Sequence, residues 1–451
     1  MRYLVWGIAA SLASVVAVPT PARADALPPV KHVFVIVLEN KNSSETFATN
    51  SPAPYLAHTL TAQGQFLANY YGIGHASLDN YIAMVSGQAP NPDTQGDCQF
   101  YTDFVGPPGV VTSPGQAVGQ GCVYPATVKT LADQLAAKGL TWKGYMEDMG
   151  TPCRHPALNA QDDTQQAKAS DQYAARHNPF VYFHSIIDTP ACAANDVPLD
   201  RLPADLASTA ATPNLSFITP DLCNDGHDAT CVDGGPGGLV AVDLFLKTWV
   251  PRILASPAYL QGGMLLITFD EAEVGNASTD ATACCGETNG PNSPMPGISG
   301  PGGGKTSAVV LSPWALPGSV NNTPYNHYSF LRSMEDLFGL DHLGFAAANG
   351  LVPFGPDVFN GPGPVTASGA GTGATLGSGG GAGSGTATGA NGRGALPATG
   401  GQPSPWFALG LLALALALAS AATRRSVATQ SRVPQPSCQR TFLRSFPGRH
   451  G

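Results

Sequence analysis

Two apolar runs along the chain stop abruptly at acidic pairs. Val33-Phe34-Val35-Ile36-Val37-Leu38 precedes Glu39-Asn40, and Met264-Leu265-Leu266-Ile267-Thr268-Phe269 precedes Asp270-Glu271. Short uninterrupted runs of this kind predict strands buried on both faces of a parallel sheet, although a buried helical turn shares the pattern. In an open α/β sheet, ligands bind beyond the carboxyl ends of the strands, so both acidic pairs are expected at one crevice. Hard oxygen ligands gathered there suit a divalent metal. Taken singly, an acidic residue after a strand is also a common helix N-cap.

The patterning elsewhere repeats strand and helix in alternation. Residues 65–71 read as a strand, followed by a loop carrying Ser77 and a helix closed by Gly87. A short amphipathic helix at 131–139 precedes a strand at 141–145. Residues 214–219 and 307–311 read as further strands, 243–254 as the helix feeding the Asp270 strand, and 328–338 as a helix opened by His327. This alternation predicts an α/β fold with a doubly wound, mostly parallel sheet flanked by helices. Stretches near 91–125 and 148–177, rich in turn residues, read as loops over the sheet. Ser77 at a helix entrance has two readings. It caps the helix, or it is a nucleophile whose target phosphate rests against the helix N-terminus.

Several of these pieces resemble a known family. They are His32-Val33-Phe34-Val35-Ile36-Val37-Leu38-Glu39-Asn40, the Ser77 loop, His177-Asn178-Pro179-Phe180, Asn224-Asp225-Gly226-His227-Asp228 and Thr268-Phe269-Asp270-Glu271. In this order they resemble the bacterial phosphoesterase family of phospholipases C and acid phosphatases, a branch of the alkaline phosphatase superfamily. After the first motif this chain continues Lys41-Asn42-Ser43-Ser44, which is similar to the acid phosphatases and departs from the Arg-Ser-Phe-Asp of the phospholipases.

The resemblance implies an alkaline-phosphatase-like fold and a divalent metal (Mg, Mn, Ca, Zn or Fe) held by Glu39, Asn40, Ser77, Asp270 and Glu271. It also implies attack by Ser77 on phosphorus through a phosphoseryl intermediate. His227 and His327 are the expected catalytic histidines, serving the leaving group or the phosphate, and Asn80 the expected hydrogen-bond donor to the transferring phosphoryl group. His177 and His75 rank behind them. The expected activity is a phosphomonoesterase of the acid phosphatase type. A phospholipase C acting on phospholipids is the alternative, and a non-catalytic surface binding module a third reading.

Both ends of the chain read as addresses. Residues 1–24 have the charged start, apolar stretch and Ala22-Arg23-Ala24 cleavage pattern of a signal peptide. The catalytic domain is expected at 25–359. A Gly/Ala/Ser/Thr-rich spacer follows at 360–401, containing Leu396-Pro397-Ala398-Thr399-Gly400, then a hydrophobic segment with Arg424-Arg425 at 402–425 and a tail at 426–451. This C-terminal order resembles a sortase sorting signal, implying attachment to cell-wall peptidoglycan; a retained membrane anchor is the alternative. The expected location is exported, at the cell surface.

Export permits disulfides, and eight cysteines lie between signal and tail. Local pairing predicts Cys98 with Cys122, Cys153 with Cys192 and Cys223 with Cys231, leaving Cys284 and Cys285 as a vicinal bond or as thiols. They have no zinc-site spacing. The formal net charge is −9 with 12% charged residues, and the one basic cluster is in the tail, which speaks against a nucleic-acid ligand. Gly300-Pro301-Gly302-Gly303-Gly304-Lys305-Thr306 lacks P-loop spacing and precedes a strand, so it reads as a loop beside the crevice.

Overall fold

Eight strands form the central sheet of the computed structural model, which describes residues 27–273, 279–286 and 289–364. In chain order they are β1 (Val33–Leu38), β2 (Gln65–Leu67), β3 (Trp142–Met146), β4 (Asp196–Pro198), β5 (Leu215–Thr219), β6 (Met264–Phe269), β7 (Ala308–Leu311) and β8 (Val320–Asn321). The spatial order is β8-β2-β7-β6-β1-β5-β3-β4. From β6 through β4 every neighbour is parallel; β7 runs antiparallel to both β6 and β2. The fold is therefore α/β with a mostly parallel sheet. The expected signal peptide, sorting motif, hydrophobic segment and tail lie outside the described residues.

Every residue of β1, β6 and β7 is buried, which is why their sequences show no alternation. Side chains still alternate between faces. Val33, Val35 and Val37 join one core with Leu78, Tyr81 and Val85 of helix α1 (Ser77–Ser86), Leu131 of α2 (Leu131–Ala137) and Leu331 of a C-terminal helix (His327–Phe338). Phe34, Ile36 and Leu38 join the other with Leu239, Val242, Phe245 and Leu246 of α3 (Gly238–Leu254). With the C-terminal helix as α4, helices cover both faces. Burying each such side chain contributes about 1.5–3 kcal/mol. Among the described residues no helix is long and apolar enough to cross a membrane.

The helix signals at 77–87, 131–139 and 328–338 correspond to α1, α2 and α4. Gly87 closes α1 in the left-handed region at φ 66°, its N–H reaching the carbonyl of Ala83. Asn326 caps α4 by accepting from the Ser329 N–H. Helix α3 starts five residues before the expected Asp243, at Gly238, where both that glycine and the preceding Gly237 have positive φ. The strand expected at 65–71 is split. Gln65–Leu67 stays in the sheet as β2, whereas Tyr70–Tyr71 leaves it to pair with Tyr325–Asn326, bringing the start of α4 beside the Ser77 loop. The chain turns between these pairings while the Ser307 hydroxyl donates to the Ala68 carbonyl.

Among the described residues four disulfides are formed: Cys98–Cys122, Cys153–Cys192, Cys223–Cys231 and the vicinal Cys284–Cys285.

Candidate active site and metal centre

The carboxyl ends of β1, β5 and β6 are locked together by main-chain hydrogen bonds. The Glu39 N–H donates to the Asp225 carbonyl at 2.9 Å and the Asp270 N–H to the Leu38 carbonyl at 2.8 Å. Asn40 then takes a left-handed conformation (φ 54°), which asparagine tolerates better than most residues. Asp270 Oδ1 accepts from the N–H groups of Asn40 (3.0 Å) and Glu271 (2.7 Å). These contacts leave Asn40 Oδ1 and Asp270 Oδ2 buried without a hydrogen-bond partner.

Ser77 is the first residue of α1, its side chain does not cap the helix, and the Leu78 N–H is met from outside by Asp97 Oδ1 at 3.0 Å. The Ser77 hydroxyl instead donates to Glu39 Oε2 at 2.8 Å, so the capping reading is not realised. Tyr81, one helical turn later on the same face, donates to Glu39 Oε1 at 2.6 Å. His177 lies against the same carboxylate. Its Nε2 is 3.3 Å from Glu39 Oε2 and its Nδ1 3.2 Å from Asp225 Oδ2, yet neither approach is aligned as a hydrogen bond. Its ring stacks on Tyr81 with centroids 5.5 Å apart. Glu39, His177 and Asp225 each present a ligand atom within 4.8 Å of the others, and all three are buried.

This arrangement is short of positive charge. Burial, followed by the charges of Asp270 and Asp225, raises the Glu39 carboxyl well above its usual range, against the lowering pull of the Tyr81 and Ser77 hydrogen bonds. Burial likewise raises Asp225 and Glu271 well above theirs and pushes Asp270 up to about 6. Asp79 is buried with both carboxyl oxygens unpaired. Burial and the neighbouring charges of Arg176 and His227 push His177 well below its usual value, so it is neutral. Clustered oxygens, a neutral imidazole and orphaned acceptors fit a divalent cation. At ligating distance the structure gathers His177 and Asp225 with Glu39, while the expected Asn40, Ser77, Asp270 and Glu271 lie around that group.

Other expected residues have different work. Asn80 accepts at Oδ1 from the N–H groups of Ile73 (2.7 Å) and Gly74 (3.1 Å). Its amide donates to the carbonyls of Gly74 and Ala76 and to Glu271 Oε2 at 2.9 Å. Those bonds consume the side chain, so it shapes the Ser77 loop and steadies Glu271 and has no donor left for a phosphoryl group. His327 is similarly spent. Its Nε2 faces the Asp270 carbonyl at 2.5 Å and must donate, so Nδ1 accepts from the Tyr70 hydroxyl at 3.1 Å. Burial pushes it down to about 4. It is a neutral brace for Asp270, and the expected catalytic use of its ring nitrogens does not fit this geometry.

His75 turns away to the Asp280 carbonyl. His227 sits at the mouth, its ring 6.3 Å from that of His177, with Nδ1 2.8 Å from Asp228 Oδ1 and Nε2 without a protein partner. The glycine-rich loop is beside the crevice, as expected: the Gly303 N–H donates to the Gly72 carbonyl and the Ala272 N–H to the Gly303 carbonyl.

The sequence reading placed His177 behind His227 and His327 and did not single out Asp225 or Tyr81, yet the structure sets His177 and Tyr81 against Glu39, and Asp225 against His177. Tyr81 had a signal, the four-residue spacing from Ser77. Asp225 had one in its position two residues before His227.

The chain is 27% identical over 332 residues to a phosphate-repressible acid phosphatase of Penicillium chrysogenum, covering 72% of this chain and 65% of that protein. It is 25% identical over 288 residues to an acid phosphatase of Aspergillus fumigatus, covering 63% and 51%. A phosphatidylinositol-3-phosphatase of Mycobacterium tuberculosis matches at 24% over 326 residues, covering 72% and 82%. The chain thus spans about half to two thirds of the two fungal enzymes, and its relatives are fungal as well as bacterial. Among solved structures, a protein in the alkaline phosphatase superfamily from Vibrio parahaemolyticus overlays with a TM-score of 0.42 at 11% identity, covering 70% of this chain and 68% of that one. The profile of the Phosphoesterase family matches residues 40–341, more than half of the chain, which belongs to that family.

Proposed function

We propose that the protein is a metal-dependent phosphoric monoester hydrolase of the acid phosphatase type, with Ser77 as nucleophile. One observation carries this reading: the Ser77 hydroxyl, at the start of a helix, donates to Glu39 inside a buried set of carboxylates. Glu39, Asn40, Asp270 and Glu271 would hold the metal, with Asp225 and His177 beside them. A bound divalent cation supplies charge neutralisation and lowers the proton affinity of the serine hydroxyl.

Ser77 Oγ gives its proton toward Glu39 Oε2 and bonds to phosphorus as the bond to the leaving oxygen breaks. At the start of α1 the Leu78 N–H is taken by Asp97 Oδ1 and the Asp79 N–H by the Ala76 carbonyl, so the Ser77 N–H is the backbone donor offered to a phosphoryl oxygen. His227, held at Nδ1 by Asp228, protonates the leaving oxygen from Nε2. Water then attacks the phosphoserine, inorganic phosphate leaves, and Ser77 recovers its proton. The relative named for phosphatidylinositol 3-phosphate brings lipid phosphomonoesters into the candidate substrate range. Export through residues 1–24 and surface attachment through 396–425 belong to the same proposal.

The test is Ser77→Ala. The native protein with a divalent ion should hydrolyse p-nitrophenyl phosphate and yield a phosphopeptide containing Ser77 after an acid quench. The variant should keep its fold and lose both. Turnover near the native rate in the variant removes Ser77 from the role.

A further inference from the structure

Cys284 and Cys285 are bonded to each other although they are neighbours in sequence, and the mechanism above leaves the bond unused. The other three disulfides join residues 24, 39 and 8 apart in sequence, and each has at least one buried cysteine. A cross-link restrains the unfolded chain less as the loop it closes shrinks, so a bond between neighbours adds little stability by that route. Both residues of the vicinal pair are half-buried. Among the described residues it is the bridge with no buried partner, and so the one most open to a thiol in solution.

Each half of the pair touches a different element that frames Ser77. Cys284 Sγ lies 3.3 Å from the Tyr325 carbonyl oxygen. Tyr325–Asn326 pairs with Tyr70–Tyr71 and leads into α4, whose His327 braces the Asp270 carbonyl. Cys285 packs against an apolar cluster that includes Ile73, Ala83 and Tyr328. Ile73 belongs to the Ser77 loop, where its N–H is held by Asn80, and Ala83 belongs to α1. The residues just before the pair continue the contact: the Gly302 and Gly304 N–H groups donate to the carbonyls of Ala281 and Thr282, and His75 Nε2 meets the Asp280 carbonyl at 2.9 Å. The bond therefore fastens residues 280–285 against both sides of the loop that carries the nucleophile.

We infer that Cys284–Cys285 is a thiol-exchange site, opened by a dithiol, whose reduction loosens the Ser77 loop and lowers turnover. The site stands on these contacts; the turnover effect rests on the hydrolase reading above. One thiolate of the dithiol bonds to Cys285 Sγ, the Cys284–Cys285 bond breaks, and Cys284 leaves as a thiolate that takes up a proton. The second thiol of the reagent then attacks its own sulfur in the mixed disulfide and releases Cys285. The dithiol ends as a disulfide, and its two protons and two electrons end on the cysteines. The reduced Cys284 thiol finds an acceptor already in place, the Tyr325 carbonyl. With the bond gone each side chain rotates about its own χ1, and the clamp becomes two independent, weaker contacts.

The test exposes the native protein to graded dithiothreitol without denaturant, traps free thiols with iodoacetamide and locates them by peptide mass spectrometry. The trapped protein is desalted, resupplied with a divalent ion, and read by p-nitrophenyl phosphate turnover and by amide hydrogen exchange across residues 72–80. Cys284 and Cys285 should be labelled before any other cysteine, exchange at Ile73 and Gly74 should quicken about tenfold, and turnover should fall about tenfold. Omitting the alkylation and letting air reoxidise the desalted protein should restore both. The double variant Cys284→Ser, Cys285→Ser should behave as the opened form and ignore dithiothreitol. Labelling of another pair first, an opened bond that leaves exchange or turnover at native values, or a double variant that fails to fold would mark the bond as purely structural and overturn the inference. A native protein silent on the ester, whose amide exchange still follows the bond, would refute the hydrolase reading and keep the site.

Discussion

Tyr81→Phe removes one oxygen from the site and little else. The ring stacked on His177 stays, as does its packing in the core with Phe217, 6.2 Å away between centroids. What disappears is the 2.6 Å hydrogen bond to Glu39 Oε1, leaving that oxygen buried without a donor. A hydrogen bond to a charged group contributes about 1.5–3 kcal/mol. Because the carboxylate is needed as an anion for the metal and the bond favours the anion, the loss should weaken divalent-ion affinity by roughly tenfold to a hundredfold. Titration of metal-free protein with Mn²⁺ or Zn²⁺ by calorimetry reads this directly. Turnover of p-nitrophenyl phosphate should fall at limiting metal and recover at saturation. Tyr145→Phe is the control: its hydroxyl donates to Asp205 Oδ2 at 2.7 Å, away from the strand-end carboxylates, so its removal should leave metal affinity unchanged. Unaltered affinity in Tyr81→Phe would refute the coupling of this hydroxyl to the metal centre, and lost turnover that excess metal cannot restore would place Tyr81 in the chemical step.

Asn80→Ala should destabilise the protein by about 3 kcal/mol or more in denaturant unfolding and reduce turnover, because several buried N–H and C=O groups of the Ser77 loop lose partners at once; a cost under about 1 kcal/mol would contradict that role. Gly72→Ala should impair both stability and metal binding, since an added Cβ would lie 2.6 Å from the Asp270 carbonyl oxygen; a variant with native metal affinity would refute it. Glu335 gives a pH signature. Burial pushes its carboxyl up to about 9, so the folded state holds a proton that the unfolded state releases above its ordinary 4.5. The Glu335 contribution is complete below about pH 4.5 and drains away up to about pH 9. Glu335→Gln should therefore raise Tm relative to the native protein increasingly across that window, by an amount worth a few kcal/mol at its upper end, and parallel Tm–pH curves would refute it.

The parts of the fold legible in the sequence were those where burial leaves a linear trace. β1 and β6 are sealed on both faces and show as unbroken apolar runs, and α1, α2 and α4 are closed or capped by Gly87, Gly139 and Asn326. The edges of the sheet left no such trace. β4 is three residues long and opens with a buried aspartate, and β8 is two residues long; both depend on neighbours far away in sequence. The site divides along the same line. Glu39, Asp270 and Ser77 sit where local signals change, whereas the meeting of His177 with Glu39 and Asp225 depends on a separate turn held to the end of β5 by the Thr219 hydroxyl, which donates to the His177 carbonyl. His327 shows the converse failure. Its place at a helix start was legible, but the tyrosine and carbonyl that occupy its ring were not.

The bond from His327 to the Asp270 carbonyl also sets an order of events in the life of the chain. Asp270 is braced by the first residue of the last long helix, and Tyr70–Tyr71 finds its pairing strand only at Tyr325–Asn326. Glu39 and Ser77 are made early by the ribosome, yet the scaffold that aligns them is finished only when α4 arrives, hundreds of residues later. A nascent or prematurely terminated chain carries Ser77, Glu39 and Asp270 without the brace, so hydrolytic competence should switch on late and all at once, after synthesis has passed Phe338.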